Sequence, residues 1–167
     1  MTDVQIAHIR ARSAALLRFV SLLAAALWLT FLLERFGAVS LRLVAQAGDA
    51  AAWRAFAVQG VLAIPELFYL LALGGVRRAL AEFARGQLYV PAVTRMLHRI
   101  GVLLAAGACI GVFVVPGLQR ALGAAPGYWI AFDVSALVLG ALGLSLTVIA
   151  HVFGRAAALE AELDEIF

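Results

Sequence analysis

The residue with the clearest potential for chemistry is Glu66, a carboxylic acid within an apolar stretch that runs from about Ala55 to Val76. A charge at the centre of a membrane costs about 2.5–3.5 kcal/mol on insertion scales. The nearest arginines on the outer side of this stretch, Arg54 and Arg120, would have to reach inward by about 15 Å. We therefore expect Glu66 to be protonated at pH 7 and to be hydrogen-bonded, because desolvation disfavours its anion.

Two neighbouring groups are candidate hydrogen-bond partners for Glu66. Pro65 has no backbone N–H and so leaves the carbonyl of Val61 available as an acceptor. Gln59 lies seven residues before Glu66 on the same helical face. Two interpretations are open: Glu66 and Gln59 form a polar clasp between helices, or they form a proton or ligand site.

His98 and His151 are predicted at similar depth, at the cytoplasmic ends of neighbouring antiparallel helices. Two neutral imidazoles in that arrangement could hold a haem iron axially. The alternative is a pair of ordinary histidines at the membrane interface. The sequence has no phosphate-binding glycine loop, paired thiol motif, zinc-protease motif or nucleophilic serine elbow. We therefore expect a protein without enzymatic activity, bound metal or cofactor.

Charged residues are concentrated around a central loop and in the C-terminal tail. The loop is rich in arginine and the tail is acidic, and both are predicted on one side of the membrane. Either they are solvated helix ends, or the tail docks on the loop or competes there with a protein partner. The partner-binding candidates are Arg77, Arg78, Arg85, Tyr89, Arg95, Arg99, Glu160, Glu162 and Glu165.

Small residues mark the faces opposite Glu66. Gly107 and Gly111 are four residues apart on one apolar stretch, and Gly140 and Gly143 lie on the next. Glycine at this spacing lets helix backbones approach closely in a membrane. The pattern predicts helix packing within the chain or, alternatively, a face for a homo-oligomer.

The composition identifies the environment in which these residues act. The chain has 167 residues, of which 65% are hydrophobic and 14% are charged, and its mean hydropathy is +1.01. Soluble domains are only about 45–50% apolar, so an ordinary soluble domain, a disordered chain and a nucleic-acid-binding module are all excluded. The net charge of +3 comes with arginine as the sole basic residue type besides histidine, and we attribute it to membrane topology. The lone Cys109 cannot form an internal disulfide bond.

Four stretches are long enough to cross a bilayer as helices, since about 20 apolar residues are needed. The fold class is therefore an all-α integral membrane protein, an antiparallel bundle of four transmembrane helices with cytoplasmic helical extensions. Residues 37–54 form an external loop, part of which could be a short interfacial helix over residues 41–52. The single membrane domain, 1–167, divides into spans at about 15–36, 55–76, 100–118 and 129–153, a cytoplasmic loop at 77–99 and an acidic cytoplasmic tail at 155–167.

The arginines also predict the orientation. Nine of the thirteen lie in the N-terminal segment, the central loop or the C-terminal side. The four on the other side are Arg35, Arg42, Arg54 and Arg120. The positive-inside rule places both termini in the cytoplasm. Trp53, Tyr128 and Trp129 fall at the opposite boundary, where aromatic residues are enriched. We predict a multi-pass protein of a bacterial inner membrane, in contact with membrane lipids.

The segment Phe83–Gly101 resembles a pattern of an uncharacterised bacterial membrane family, domain of unknown function 2975. The pattern reads G-x-x-F-T-x-x-N-x-x-x-L-x-x-I-G, and Tyr89, Val90 and Val93 depart from it. The resemblance implies a small inner-membrane protein of unknown activity, often encoded beside a small helix-turn-helix regulator, with no known catalytic residues. The matching residues are Gly86, Pro91, Leu97, Ile100 and Gly101.

Three functions follow as hypotheses. The leading one is a non-enzymatic interaction or regulatory protein that acts through the arginine-rich loop and the acidic tail. The second is proton-coupled or small-ligand transport centred on Glu66. The third is a haem-carrying redox subunit that uses His98 and His151.

Overall fold

A computed structural model describes residues 3–45, 49–85, 90–124 and 127–164, and every regular element in these ranges is helical. Two of the helices contain a turn of the wider π-helical type. In chain order the elements are α1 (Asp3–Leu32), a first π-helical turn (Leu33–Gly37), α2 (Ala38–Ala45), α3 (Ala50–Ala84), α4 (Val90–Cys109), a second π-helical turn (Ile110–Val114), α5 (Val115–Ala121) and α6 (Val134–Asp164).

Within the described ranges, four helical stretches are long and apolar enough to cross a membrane. They are Ala15–Ala45, Ala50–Ala84, Val93–Ala121 and Val134–Leu159. This confirms the predicted all-α, four-helix membrane bundle, and the protein is a multi-pass membrane protein.

The first helical stretch continues past its predicted end near residue 36. It passes through the first π-helical turn and α2 to Ala45, because residues 38–45 contain no helix breaker and the Ser40 hydroxyl donates to the Phe36 carbonyl at 2.5 Å. Helix α3 then begins early, since Asp49 caps it by accepting a hydrogen bond from the Ala51 amide at 2.9 Å. A loop over all of residues 37–54 was therefore wrong, because residues 37–45 and 50–54 are helical. The short helix predicted within residues 41–52 corresponds in part to α2, and its interfacial position stays a prediction.

The last helix begins later than predicted. Residues 127–133 are not helical, and α6 begins at Val134 rather than near Trp129. Asp133 sets this start, because its Oδ1 accepts hydrogen bonds from the Ser135 amide at 2.9 Å and the Ala136 amide at 3.3 Å.

Helices α4 and α6 pack most closely, and glycine makes this possible. A Cβ atom on Gly101 would lie 2.5 Å from the Gly143 carbonyl oxygen, and one on Gly143 would lie 2.6 Å from the Ala105 amide nitrogen. Helix α3 packs against both α1 and α4. Ile100 and Gly101, the last two residues of the family pattern, lie at the junction of α3, α4 and α6, where Gly75 faces Ile100.

The interior of the bundle is lined by small side chains, while large apolar side chains face outward. Ala63, Ala72 and Ala150 are at most 2% exposed, whereas Phe19 and Leu22 are 64% and 72% exposed. Lipid tails are as apolar as these large residues, so close backbone packing holds such helices together. The outward apolar surface is therefore the surface that meets the lipid.

Candidate functional site

Glu66 forms an ion pair with Arg35, one of the four arginines predicted on the outer side. The Arg35 Nε donates to Glu66 Oε2 at 2.9 Å, and the Arg35 Nη2 donates to Glu66 Oε1. A two-point pair of this kind is among the stronger hydrogen-bonded contacts between side chains. The prediction that Arg54 and Arg120 are the nearest outer arginines was wrong, because the helix continues past residue 36 and carries Arg35 to the depth of Glu66. The protonated form of Glu66 was predicted without Arg35 beside it, and it stays an untested prediction.

The first π-helical turn positions the Arg35 side chain. A π-helical turn accommodates one extra residue and rotates the helix that follows by about 100°. Arg35 is the middle residue of this turn. Between the ion pair and the connection from α2 to α3, the rings of Phe36 and Phe56 pack against each other with their centroids 5.7 Å apart. This contact holds the first helical stretch against α3.

The pair lies halfway along the apolar part of α3. Twelve residues separate Arg54 from Glu66 and eleven separate Glu66 from Arg77, or about 18 Å and about 17 Å along one helix. The hydrocarbon core of a bilayer is about 30 Å thick. Arg54 and Arg77 thus lie near the two edges of the core, and the ion pair lies near its middle.

A cavity of about 600 Å³ adjoins the ion pair. Both π-helical turns contribute to its wall, Arg35 from the first and Gly111 from the second. Its other polar side chains are Glu66, Tyr69, Tyr128 and Asp133. Ion pair, phenol and carboxylate therefore share one space inside the bundle.

The non-helical segment 127–133 forms one side of this cavity. Pro116 has no N–H, so the Val112 carbonyl loses the donor that a regular helix would supply four residues later. The Ala131 amide donates to that carbonyl at 3.0 Å instead. Non-helical backbone at membrane depth is found where it is buried in protein or lines a polar cavity, and this segment fits that description.

Tyr69 and Asp133 carry the polar groups that are available to a ligand. The Tyr69 hydroxyl is buried and has no hydrogen-bond partner among the residues that the structure describes. Asp133 uses Oδ1 as the cap of α6, and its side chain belongs to an exposed residue on the cavity wall. Because Arg35 and Glu66 balance one another, Asp133 gives the cavity an excess of one negative charge.

Gln59 lies on α3 two turns before Glu66 and is not among the residues that line the cavity in the described part of the chain. The glycines singled out for packing all lie at contacts within the chain. A Cβ on Gly107 would lie 2.7 Å from Tyr69 Cε1, and one on Gly140 would lie 2.9 Å from Ala108 Cβ. Gly111 faces Pro65 at the cavity wall, and Gly143 faces α4.

The opposite end of the bundle carries Arg77, Arg78, Arg95, Arg99 and Arg155, and we call it the arginine-rich end. There, His98 and His151 line one groove between α4 and α6. The groove has a volume of about 840 Å³ and is also lined by Arg95 and Arg155. Over the described ranges, no group of three or more histidine, cysteine, aspartate or glutamate side chains could hold a metal ion. Haem ligation by the two histidines stays a prediction.

The predicted partner-binding residues lie partly within the described chain. Arg77 donates from Nε to the Ser21 hydroxyl at 3.0 Å and so links α3 to α1. Arg78, Arg85 and Arg99 are exposed. Tyr89 and Glu165 lie outside the described residues, whereas Glu160 and Glu162 belong to the last turns of α6.

Of the five polar side chains that line the cavity, sequence reasoning singled out only Glu66 as a site residue. Arg35 was predicted on the outer side and Tyr128 at the outer boundary, whereas Tyr69 and Asp133 were not predicted as site residues. A signal was present for Arg35, since the helix-forming residues after Gly37 allow the helix to continue. The position of Asp133 depends on how deeply residues 127–133 lie in the bundle. That depth is set by contacts with residues that are distant in the sequence, so the local sequence does not predict it.

Comparison with known proteins gives the chain a family and leaves its activity open. No curated protein and no solved structure matches the chain at a significant level. A family model described as a protein of unknown function, DUF2975, matches residues 44–166. The match covers α3, α4, α5 and α6 and includes Glu66, Tyr69 and Asp133. The chain therefore belongs to the DUF2975 family of proteins of unknown function.

Proposed function

We propose that this protein is a non-enzymatic ligand-binding protein of a bacterial inner membrane, whose cavity binds a small organic cation. Both termini and the arginine-rich end lie in the cytoplasm, and the cavity is reached from the outer side. The observation that carries the proposal is that the buried Tyr69 hydroxyl, which has no partner among the described residues, and the Asp133 carboxylate line one cavity whose remaining charges, Arg35 and Glu66, are paired with each other.

The charges and hydrogen-bonding groups of the cavity support a cationic ligand. Arg35 and Glu66 satisfy one another, which leaves the Asp133 carboxylate and the buried Tyr69 hydroxyl. A carboxylate accepts hydrogen bonds, and a phenol can accept or donate one. A protonated amine supplies both the complementary charge and the N–H donors, while its carbon atoms fit the apolar remainder of the wall.

The close helix packing between the cavity and the arginine-rich end favours ligand binding over ligand transport. Between the cavity and the arginine-rich end, a Cβ on Gly75 would lie 2.9 Å from Ile100 Cγ1, and Gly101 meets the backbone of α6. Contacts this close leave no space for a solute to pass in this conformation. Proton-coupled or ligand transport remains the second candidate, for which Glu66→Gln would abolish flux in proteoliposomes.

Helix α3 offers a route from ligand binding to an effect in the cytoplasm. It runs unbroken from Ala50 to Ala84 and carries Glu66 as well as Arg77 and Arg78. Ligand-dependent movement of α3 would therefore alter the arginine-bearing surface. We propose that this surface, with the acidic tail, contacts a cytoplasmic protein, and the family resemblance suggests a helix-turn-helix regulator.

Ligand binding is tested on the purified protein in detergent with propylamine as the probe and acetate as the anionic control. We expect propylamine, and not acetate, to raise the thermal unfolding temperature. Asp133→Asn should remove this effect, because asparagine keeps the helix cap and loses the charge. The matched control is Asp49→Asn, which changes the cap of α3 in the same way outside the cavity. Equal responses in the two variants, or none in the wild type, would contradict the proposal.

The interaction is tested with the helix-turn-helix regulator encoded beside the gene, where there is one. Capture of that protein should be lost in an Arg77→Gln, Arg78→Gln double variant and after deletion of residues 155–167. Arg42→Gln with Arg54→Gln, which removes the same charge from the opposite end, should leave capture unchanged. Unaltered capture after the first two changes would remove the cytoplasmic surface from the proposal.

A further inference from the structure

The groove between α4 and α6 at the arginine-rich end combines cationic and apolar walls. Arg95 and His98 line it from α4, and His151 and Arg155 line it from α6. Val148 on α6, which is 62% exposed, extends the same groove toward the lipid-facing surface. The buried Ala150, which is 1% exposed, also belongs to the wall of the groove.

The depth of the groove matches the headgroup layer of a membrane. On α3, Gly75 faces Ile100 of α4. Arg77 and His98 each lie two residues from this contact toward the arginine-rich end, so they lie at similar depth. Arg77 lies near the edge of the hydrocarbon core, about 17 Å from Glu66 along α3. The part of the groove lined by His98 and His151 therefore lies where lipid phosphates are found.

From these observations we infer that the groove binds the phosphodiester headgroup of an anionic membrane lipid. Arginine and protonated histidine donate hydrogen bonds to phosphate oxygens, and basic pockets between membrane helices on the cytoplasmic side bind such headgroups. Among the residues up to Leu159 whose side chains the structure describes, those that line the groove include no acidic residue. A free phosphate ion would use the cations alone, whereas a lipid also places an acyl chain along Val148.

The ligand chemistry and the position of this site differ from those of the cavity near Glu66. The lipid site needs only that the groove lies at a membrane surface, so it stands even if the cavity binds no amine. Conversely, an amine bound at Asp133 would leave the lipid preference of the groove unaffected.

The test is native mass spectrometry of the full chain purified in dodecyl maltoside and exposed to equal amounts of phosphatidylglycerol and phosphatidylcholine. We expect phosphatidylglycerol to be retained in preference. Arg155→Gln should reduce this preference about fivefold, which corresponds to about 1 kcal/mol for one arginine near a lipid surface. His151→Gln, a change at an exposed residue of the same groove, should reduce it in the same direction.

Arg18→Gln is the matched control, since it removes one exposed arginine of α1 from the same end of the bundle but outside the groove. It should leave the preference unchanged. Equal losses for Arg18→Gln and Arg155→Gln would show diffuse surface charge and overturn the site. Displacement of the lipid by millimolar inorganic phosphate, or a Soret band that marks haem as the occupant, would overturn it as well. Circular dichroism and size-exclusion profiles like those of the wild type establish that each variant is folded.

Discussion

The ion pair between Arg35 and Glu66 should act as a unit in the stability of the bundle. Removing one partner from a fully buried pair costs about 3–5 kcal/mol. Here the two side chains keep 32% and 35% of their exposure, because they face the cavity. We therefore expect Arg35→Gln or Glu66→Gln to lower the free energy of unfolding by about 2 kcal/mol each. The double variant should lose no more than either single variant, because it leaves no unpaired charge.

The assay is equilibrium unfolding in dodecyl maltoside micelles with increasing dodecyl sulfate, followed by far-ultraviolet circular dichroism. Arg42→Gln is the control, since it removes an exposed arginine from α2 and should change the free energy by at most about 0.5 kcal/mol. Additive losses in the double variant would refute the pairing. So would single-variant losses no larger than that of the control.

Three further predictions concern the glycine contact, the proline and the carboxyl group. Gly101→Ala should destabilise the protein by about 1–3 kcal/mol through overpacking against α6, while Gly60→Ala, where a Cβ meets nothing within 4 Å, should not; the same unfolding assay checks both. Pro116→Ala should speed hydrogen exchange at the Ala131 amide, because the new N–H competes for the Val112 carbonyl; unchanged exchange would contradict that account. Infrared difference spectra of wild type against Glu66→Gln at pH 7 should show carboxylate bands, and a protonated carboxyl band would restore the neutral Glu66 that the sequence suggested.

The number and type of the helices follow directly from the sequence. Four long apolar stretches interrupted by arginine clusters allow few other folds, and the glycine spacing indicated close backbone contact. These properties depend on composition and local spacing, which are written in the chain itself.

The partnership of Arg35 with Glu66 could not be obtained in this way. Gly37 and the charged pair before it suggest a helix end, yet a single π-helical turn carries the helix through. The extra residue in that turn changes the rotation of the helix and therefore determines whether the Arg35 side chain faces α3. The depth of residues 127–133 also depends on a contact between residues that are distant in the sequence. Pro116 leaves the Val112 carbonyl without its usual helical donor, and the Ala131 amide donates to that carbonyl instead.

The position of Trp129 gives this protein a natural optical reporter. The guanidinium carbon of Arg120 lies 3.7 Å from the centre of the Trp129 indole ring, and Trp129 is 81% exposed. A nearby cation and a change in surrounding polarity both alter indole emission. Trp129 belongs to the same short segment as Asp133, so occupancy of the cavity would change its fluorescence without any added label. Replacing Trp28 and Trp53 by phenylalanine would isolate that signal in the intact membrane.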